Sequence, residues 1–163
     1  MNAEMPIQQT EEHDCREPHT LRVTGRVRQP LVLSMEELLG MDTEELEDLP
    51  IICGSGTPKG RIAKCTGVLL ENVIKKAEVL REEHNDTKKM YIVASSGDGF
   101  KVVFSWQEIF NTPIGGGVMI LIEKDGTSLC TDGARPDLIS AEDYYTGSRY
   151  VRGLERIELV LVE

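Results

Sequence analysis

Hydrophobic positions first recur with a period of two at Leu21, Val23 and Val27, set against Arg22, Thr24 and Arg26, which predicts a half-buried strand beginning at Thr20. Gln29-Pro30 turns the chain, and Leu31-Val32-Leu33 follows. Ser34, with Glu37 three residues on, then has the spacing of a capping box for a short helix over Met35, Leu38 and Leu39 that Gly40 ends. A second, acidic helical turn is expected around Thr43 to Asp48, and Leu49-Pro50-Ile51-Ile52 reads as a strand. The strongest helical period runs from Val68 to Glu83, with Leu70, Val73, Ile74, Ala77 and Leu80 on one face.

Met90 to Ala94 predicts a buried strand, Ser95 to Gly99 a turn, and Lys101 to Phe104 its continuation or its partner. Ser105 with Glu108 forms a second capping box, opening a short helix over Trp106, Ile109 and Phe110 that Thr112-Pro113 stops. Val118 to Ile122 is a continuous apolar strand, Asp125-Gly126 a hairpin turn, and Ile157 to Val162 the last strand. Strands outnumber long helices and do not alternate with them, so the pattern favours an α+β domain of mixed or antiparallel sheets with a few covering helices, not a doubly wound parallel sheet.

The 163 residues suffice for one domain with a sizeable core. Residues 1–19 are polar and acidic and lack a sustained apolar period, which predicts a disordered arm ahead of a single domain over 20–163. His13, Cys15 and His19 in that arm match no standard ligand spacing and read as a solvated tail. The formal net charge of -10 argues against non-specific binding to nucleic acid or an anionic membrane, so any anion site must be a local basic pocket. No apolar stretch approaches a membrane span and the first residues carry no signal pattern. The chain as given therefore reads as cytoplasmic, or as periplasmic if an export signal has been removed.

Four cysteines, at 15, 53, 65 and 130, form no C-x-x-C pair, which leaves a zinc ribbon or a thioredoxin-type motif unsupported. Cys65 and Cys130 read as core residues. Cys53 differs in its setting, because it ends an apolar run and is followed by Gly54, Ser55, Gly56, Thr57, Pro58, Lys59, Gly60 and Arg61. A soft thiol beside glycines that admit close approach and two cations combines a metal ligand with an anion site. On these residues alone, a buried core cysteine is the commoner reading. The glycine runs at 54–56 and 115–117 lack nucleotide-loop order, and His84 has no nucleophile near it in sequence.

The order of segments resembles the oxidoreductase molybdopterin-binding domain, the catalytic domain of the sulfite oxidase family. The similarity rests on Leu21 to Val27, Pro30 with Leu33 to Leu38, and the isolated Cys53, followed by Thr66 to Ile74, Asp98-Gly99-Phe100, and Gly147-Ser148-Arg149-Tyr150-Val151-Arg152-Gly153-Leu154. The resemblance implies a sulfite oxidase-like fold and a molybdopterin cofactor carrying molybdenum, with Cys53 as the protein's metal ligand. It also implies an oxo-transfer reaction on a small molecule, with a redox partner protein as the other class of partner. It places Gly54, Ser55, Asp98, Gly147, Ser148, Arg149 and Arg152 around the cofactor, with Arg149 and Arg152 facing its terminal phosphate and Lys59 and Arg61 adding charge. Phe100 stands where the family commonly has tyrosine, at the substrate side.

Two departures from the family pattern bear on function. Phe100 lacks a hydroxyl to donate near a metal, and no arginine-rich substrate segment follows Cys53, which argues against sulfite as the substrate. Asp132 to Asp143 is acidic and reads as a solvated loop. The readings that remain are a small molybdenum-dependent oxidoreductase, and a non-catalytic module that keeps the fold for pterin, anion or protein binding. Oligomeric state has no sequence signal.

Overall fold

A computed structural model describes residues 19–131 and 133–163; the acidic arm and its His13 and Cys15 lie outside the described residues. Ten strands and three α-helices follow one another as β1 (Thr20–Gly25), β2 (Leu31–Ser34), α1 (Met35–Leu39), β3 (Glu44–Ile52), β4 (Pro58–Leu69), α2 (Leu70–Ala77), β5 (Met90–Ser96), β6 (Lys101–Ser105), α3 (Trp106–Asn111), β7 (Val118–Lys124), β8 (Thr127–Ser128), β9 (Asp137–Ser140) and β10 (Leu154–Leu161). One sheet has the order β2-β1-β10-β5-β6, with β1 and β10 parallel and the other pairs antiparallel. The second is antiparallel, in the order β3-β4-β7-β8 with β9 also paired to β7. The mixed and antiparallel α+β architecture expected from the pattern is therefore present.

β7 shows why a continuous apolar run makes a strand here. Val118, Ile120 and Ile122 point into the main core with Val68, Leu70, Ile74 and Phe104, while Met119 and Leu121 point the other way into a second cluster with Leu49, Ile62, Cys65 and Ile139. Both faces of the strand are covered, so alternation disappears. Each fully buried leucine or isoleucine side chain contributes about 1.5–3 kcal/mol of transfer free energy.

Both predicted caps form, one completely. At α3 the Ser105 hydroxyl accepts the Glu108 N–H at 3.0 Å, and the Glu108 carboxylate accepts the Ser105 N–H at 2.9 Å. At α1 the Ser34 hydroxyl accepts the Glu37 N–H at 3.0 Å, but the Glu37 carboxylate meets the Ser34 hydroxyl at 3.3 Å instead of a backbone donor.

Tertiary pairing overrides local pattern at four places. The helix expected over 68–83 is confined to α2; Val68 and Leu69 belong to β4, where they pair with Ile120 and Met119, and Glu78 leaves the helix at φ +56°. Val79 then bridges Val27, and the Leu80 N–H donates to the Arg26 carbonyl. The acidic turn expected at 43–48 is strand, because Glu44 to Glu47 pair with Gly67 to Lys64. The glycine-rich, basic stretch after Cys53 becomes strand from Pro58 onward, as the start of β4. The acidic loop expected at 132–143 contains buried β9, in which Asp137 is only 6% exposed.

Candidate functional site

β3 and β4 form a hairpin whose tip carries Cys53. The Gly56 N–H donates to the Cys53 carbonyl at 2.8 Å and the Cys53 N–H to the Thr57 carbonyl at 3.0 Å, closing a tight turn with Gly56 at φ +85°. That left-handed position favours glycine. The turn brings the Ser55 hydroxyl to 2.8 Å from the Cys53 sulfur. Cys53 is half-buried, and its thiol is pulled down to about 7, first by the Ser55 hydroxyl and then by the Ser55 backbone, against an upward push from desolvation. Cys65 and Cys130 lie in the core, where burial raises both thiols, Cys130 to about 11.

Cys53 opens onto a cleft of about 400 Å³ between this hairpin and the β5–β6 turn, with residues 147–152 as the third wall. That volume lies within the range of small-molecule sites, roughly 300–1,000 Å³. Of the residues expected at the site, Cys53, Lys59, Asp98, Phe100, Gly147 and Arg152 line the cleft together. An added Cβ on Gly147 would lie 2.9 Å from the Ile52 carbonyl oxygen, so only glycine fits so close to the hairpin. The Arg152 guanidinium lies over the Tyr150 ring at 5.5 Å. Asp98 accepts from the Ser96 hydroxyl and from the Phe100 N–H; the Ser96 bond is the main reason its carboxyl sits below the usual range. Phe100 is 47% exposed at the rim.

The other expected residues lie elsewhere. Gly54 and Ser55 shape the turn behind the sulfur. Arg61 points away and pairs with Asp48. Ser148 and Arg149 face a neighbouring depression of about 620 Å³ with Tyr144 and Tyr145. Arg149 was expected beside a phosphate together with Cys53. Instead, Nε and one terminal nitrogen donate to Asp143 at 2.8 and 2.6 Å, and the other donates to Glu108 at 2.9 Å and the Val103 carbonyl at 3.1 Å. Desolvation works against its charge, but hydrogen bonds to Asp143 and Glu108 outweigh it and raise its proton affinity.

Ile51, Ser96 and Tyr150 also line the cleft and carried no sequence signal of their own. Alternation in β3 and β5 gives no hint that their ends meet. The Tyr150 hydroxyl donates to buried Asp137 at 2.7 Å, and desolvation, then this partner, raise its pKa. Among the described residues no group of three His, Cys, Asp or Glu side chains could hold a metal. The donor set is one thiolate. It fits a metal that arrives with ligands of its own, inside a larger group, and does not fit a metal held by protein alone.

Two sheets, with a hairpin-borne thiol and two cations on one cleft, define a small α+β domain. The sequence matches the oxidoreductase molybdopterin binding domain over residues 4–162, and the chain belongs to that family. No curated protein sequence matched the chain. Among solved structures it is similar to the sulfane dehydrogenase SoxCD from Paracoccus pantotrophus, with a TM-score of 0.65 and 16% identity, covering 86% of this chain and 38% of that one. At that identity the likeness shows the fold alone, and this chain spans only 38% of the other's length. No helix among the described residues is long and apolar enough to cross a membrane.

Proposed function

We propose that this chain is an oxidoreductase of the oxo-transfer type whose Cys53 thiolate ligates molybdenum held by molybdopterin. The observation that carries the reading is the half-buried Cys53 thiol at the tip of the β3–β4 hairpin, 2.8 Å from the Ser55 hydroxyl, on a cleft also lined by Lys59 and Arg152. When bound, such a cofactor supplies two-electron chemistry, in which a small-molecule substrate gains or loses one oxygen atom while water, two protons and two electrons balance the exchange.

The chain's own residues bind, orient and tune. Cys53 would ligate as thiolate, and the Ser55 hydroxyl, 2.8 Å from the sulfur, would donate to it and temper its electron donation. Lys59 and Arg152 supply cationic donors for a terminal phosphate. Gly147 lets the third wall stand against the hairpin, and Asp98 holds the β5–β6 turn. Phe100 closes the substrate side with an apolar face.

A second reading, a non-catalytic module that binds the pterin, is favoured by one observation: the rim offers no free proton donor at Phe100, and the Tyr150 hydroxyl is already engaged. Elemental analysis for molybdenum, with fluorescence detection of oxidised pterin, separates the readings when performed on protein from a cofactor-competent host beside Cys53→Ser. Near-stoichiometric molybdenum that is lost in Cys53→Ser supports the oxidoreductase. Pterin retained without molybdenum supports the module, and neither, in a host that loads a control enzyme, overturns both.

A further inference from the structure

Residues 143–150 cross between the two sheets at the edge of the Cys53 cleft, and they are tied down on both sides. Toward β3, the Gly147 N–H donates to the Ile52 carbonyl at 2.7 Å. The buried Thr146 hydroxyl donates to the Pro50 carbonyl at 2.6 Å and accepts the Ile52 N–H at 3.0 Å. Toward the other sheet the attachment is Arg149. Its fork onto Asp143 braces the segment internally, and its remaining bonds reach Glu108 in α3 and the Val103 carbonyl of edge strand β6. The guanidinium also lies 4.2 Å above the Phe104 ring.

One guanidinium thus faces two carboxylates, so the surroundings of Arg149 hold an excess of negative charge. An arriving phosphate would have to displace a bidentate Asp143 and a singly bonded Glu108, both partly desolvated, which is unfavourable. Glu108 is shared: one carboxylate oxygen caps the start of α3 and the other takes Arg149. The start of that helix is therefore linked to the segment bearing Gly147 and Tyr150.

We propose that Arg149 is a positioning residue. With Asp143 and Glu108 it locks residues 143–150 as a strap between the sheets, and the strap sets the width of the gap through which a ligand reaches the Cys53 sulfur. The inference deepens the reading of the cleft as the cofactor site and rests on it for the identity of the ligand, not for the geometry.

The test uses the full chain carrying Cys15→Ser, so that Cys53 is the reactive thiol. Cys53 is labelled in competition by iodoacetamide and by a bulky pyrene maleimide. Arg149→Gln is expected to raise the bulky-to-small labelling ratio about tenfold, equivalent to about 1.4 kcal/mol in gap opening, and Asp143→Asn, which leaves the bonds to Glu108 and Val103 in place, to raise it by less. The double variant should go no further than Arg149→Gln, because Asp143 acts on the strap only through Arg149. Arg149→Lys should resemble Arg149→Gln, since a point charge cannot keep the fork and reach Glu108. Unchanged ratios in folded variants would overturn the proposal, and so would additivity in the double variant. If Arg149→Gln does not fold, the nearly isosteric Asp143→Asn decides.

Pterin retention on loaded protein adds a second arm. A positioning role lowers it in both single variants, whereas a direct phosphate contact lowers it in Arg149→Gln alone and overturns the proposal. Should the protein load no pterin, the cofactor reading fails while the labelling arm still decides the strap.

Discussion

Replacing Ser55 with alanine removes the largest single influence on the Cys53 thiol. In the native turn that thiol sits at about 7 against an ordinary 9.0, so at neutral pH about half is thiolate where an unperturbed group would be ionised to about one part in a hundred. Full return to the ordinary value would lower the ionised fraction at pH 7 about fiftyfold. The Ser55 backbone and the Thr57 bonds survive the substitution, so the expected fall is smaller, about tenfold. The assay is ultraviolet titration of thiolate absorbance in a Cys15→Ser background with Cys53→Ser subtracted. Cys65 and Cys130 are pushed up by burial, and the Cys53→Ser subtraction removes whatever they contribute. Absorbance is preferable to alkylation rate alone, since a more basic thiolate is intrinsically more nucleophilic and masks part of the change. An inflection in Ser55→Ala that coincides with the native one, or a native inflection near 9, would refute the argument that this hairpin activates its cysteine.

Three further outcomes follow from the same geometry. Phe104→Ala, at a fully buried ring in the main core, should cost about 3–5 kcal/mol in urea unfolding, and a loss below about 1 kcal/mol would show that the core there is not close-packed. Gly147→Ala should push the third wall off the hairpin and lower pterin retention, because its Cβ would meet the Ile52 carbonyl; unchanged retention would show that the third wall need not approach the hairpin. The Glu108 carboxyl feels burial, which raises it, but bonds from Ser105 and Arg149 outweigh this and hold it low; Asp86 and Asp98 are also low. Folded values below unfolded ones give stability that is present above the unfolded pKa and lost as pH falls through the folded one, so unfolding free energy should be level near pH 6 and decline below about pH 4. Glu108→Gln should be less stable at neutral pH and lose less on acidification, and parallel curves would contradict the linkage.

Much of the framework was legible because its causes are local. The alternation of β1, the apolar run of β7, the Asp125-Gly126 turn and the Ser105–Glu108 cap each express a preference settled within a few residues. Sequence pattern failed where a segment found a better partner far away. Val68 and Leu69 have helical spacing with α2, yet two more strand pairs with Ile120 and Met119 place them in β4. Glu44 to Glu47 would suit a helix terminus, but β4 offers a ladder. Buried β9 escaped notice because Asp137 looks like a surface residue until Tyr150, Lys124 and the Gly153 N–H are seen to satisfy it.

The site divides along the same line. The sequence marked Cys53 as a candidate through its glycines and following cations, though on those residues alone a core cysteine was the commoner reading. Colinear motifs pointed to the family. Only the tertiary structure decided that Asp98 and Arg152 share a cleft with Cys53 whereas Arg149 and Arg61 do not. Those outcomes hang on sheet register and on bonds such as that between Ile52 and Thr146, 94 residues apart, for which the chain carries no local pattern. An arginine in a motif shows that a cation is present; whether it meets a ligand or two carboxylates depends on which elements pack beside it.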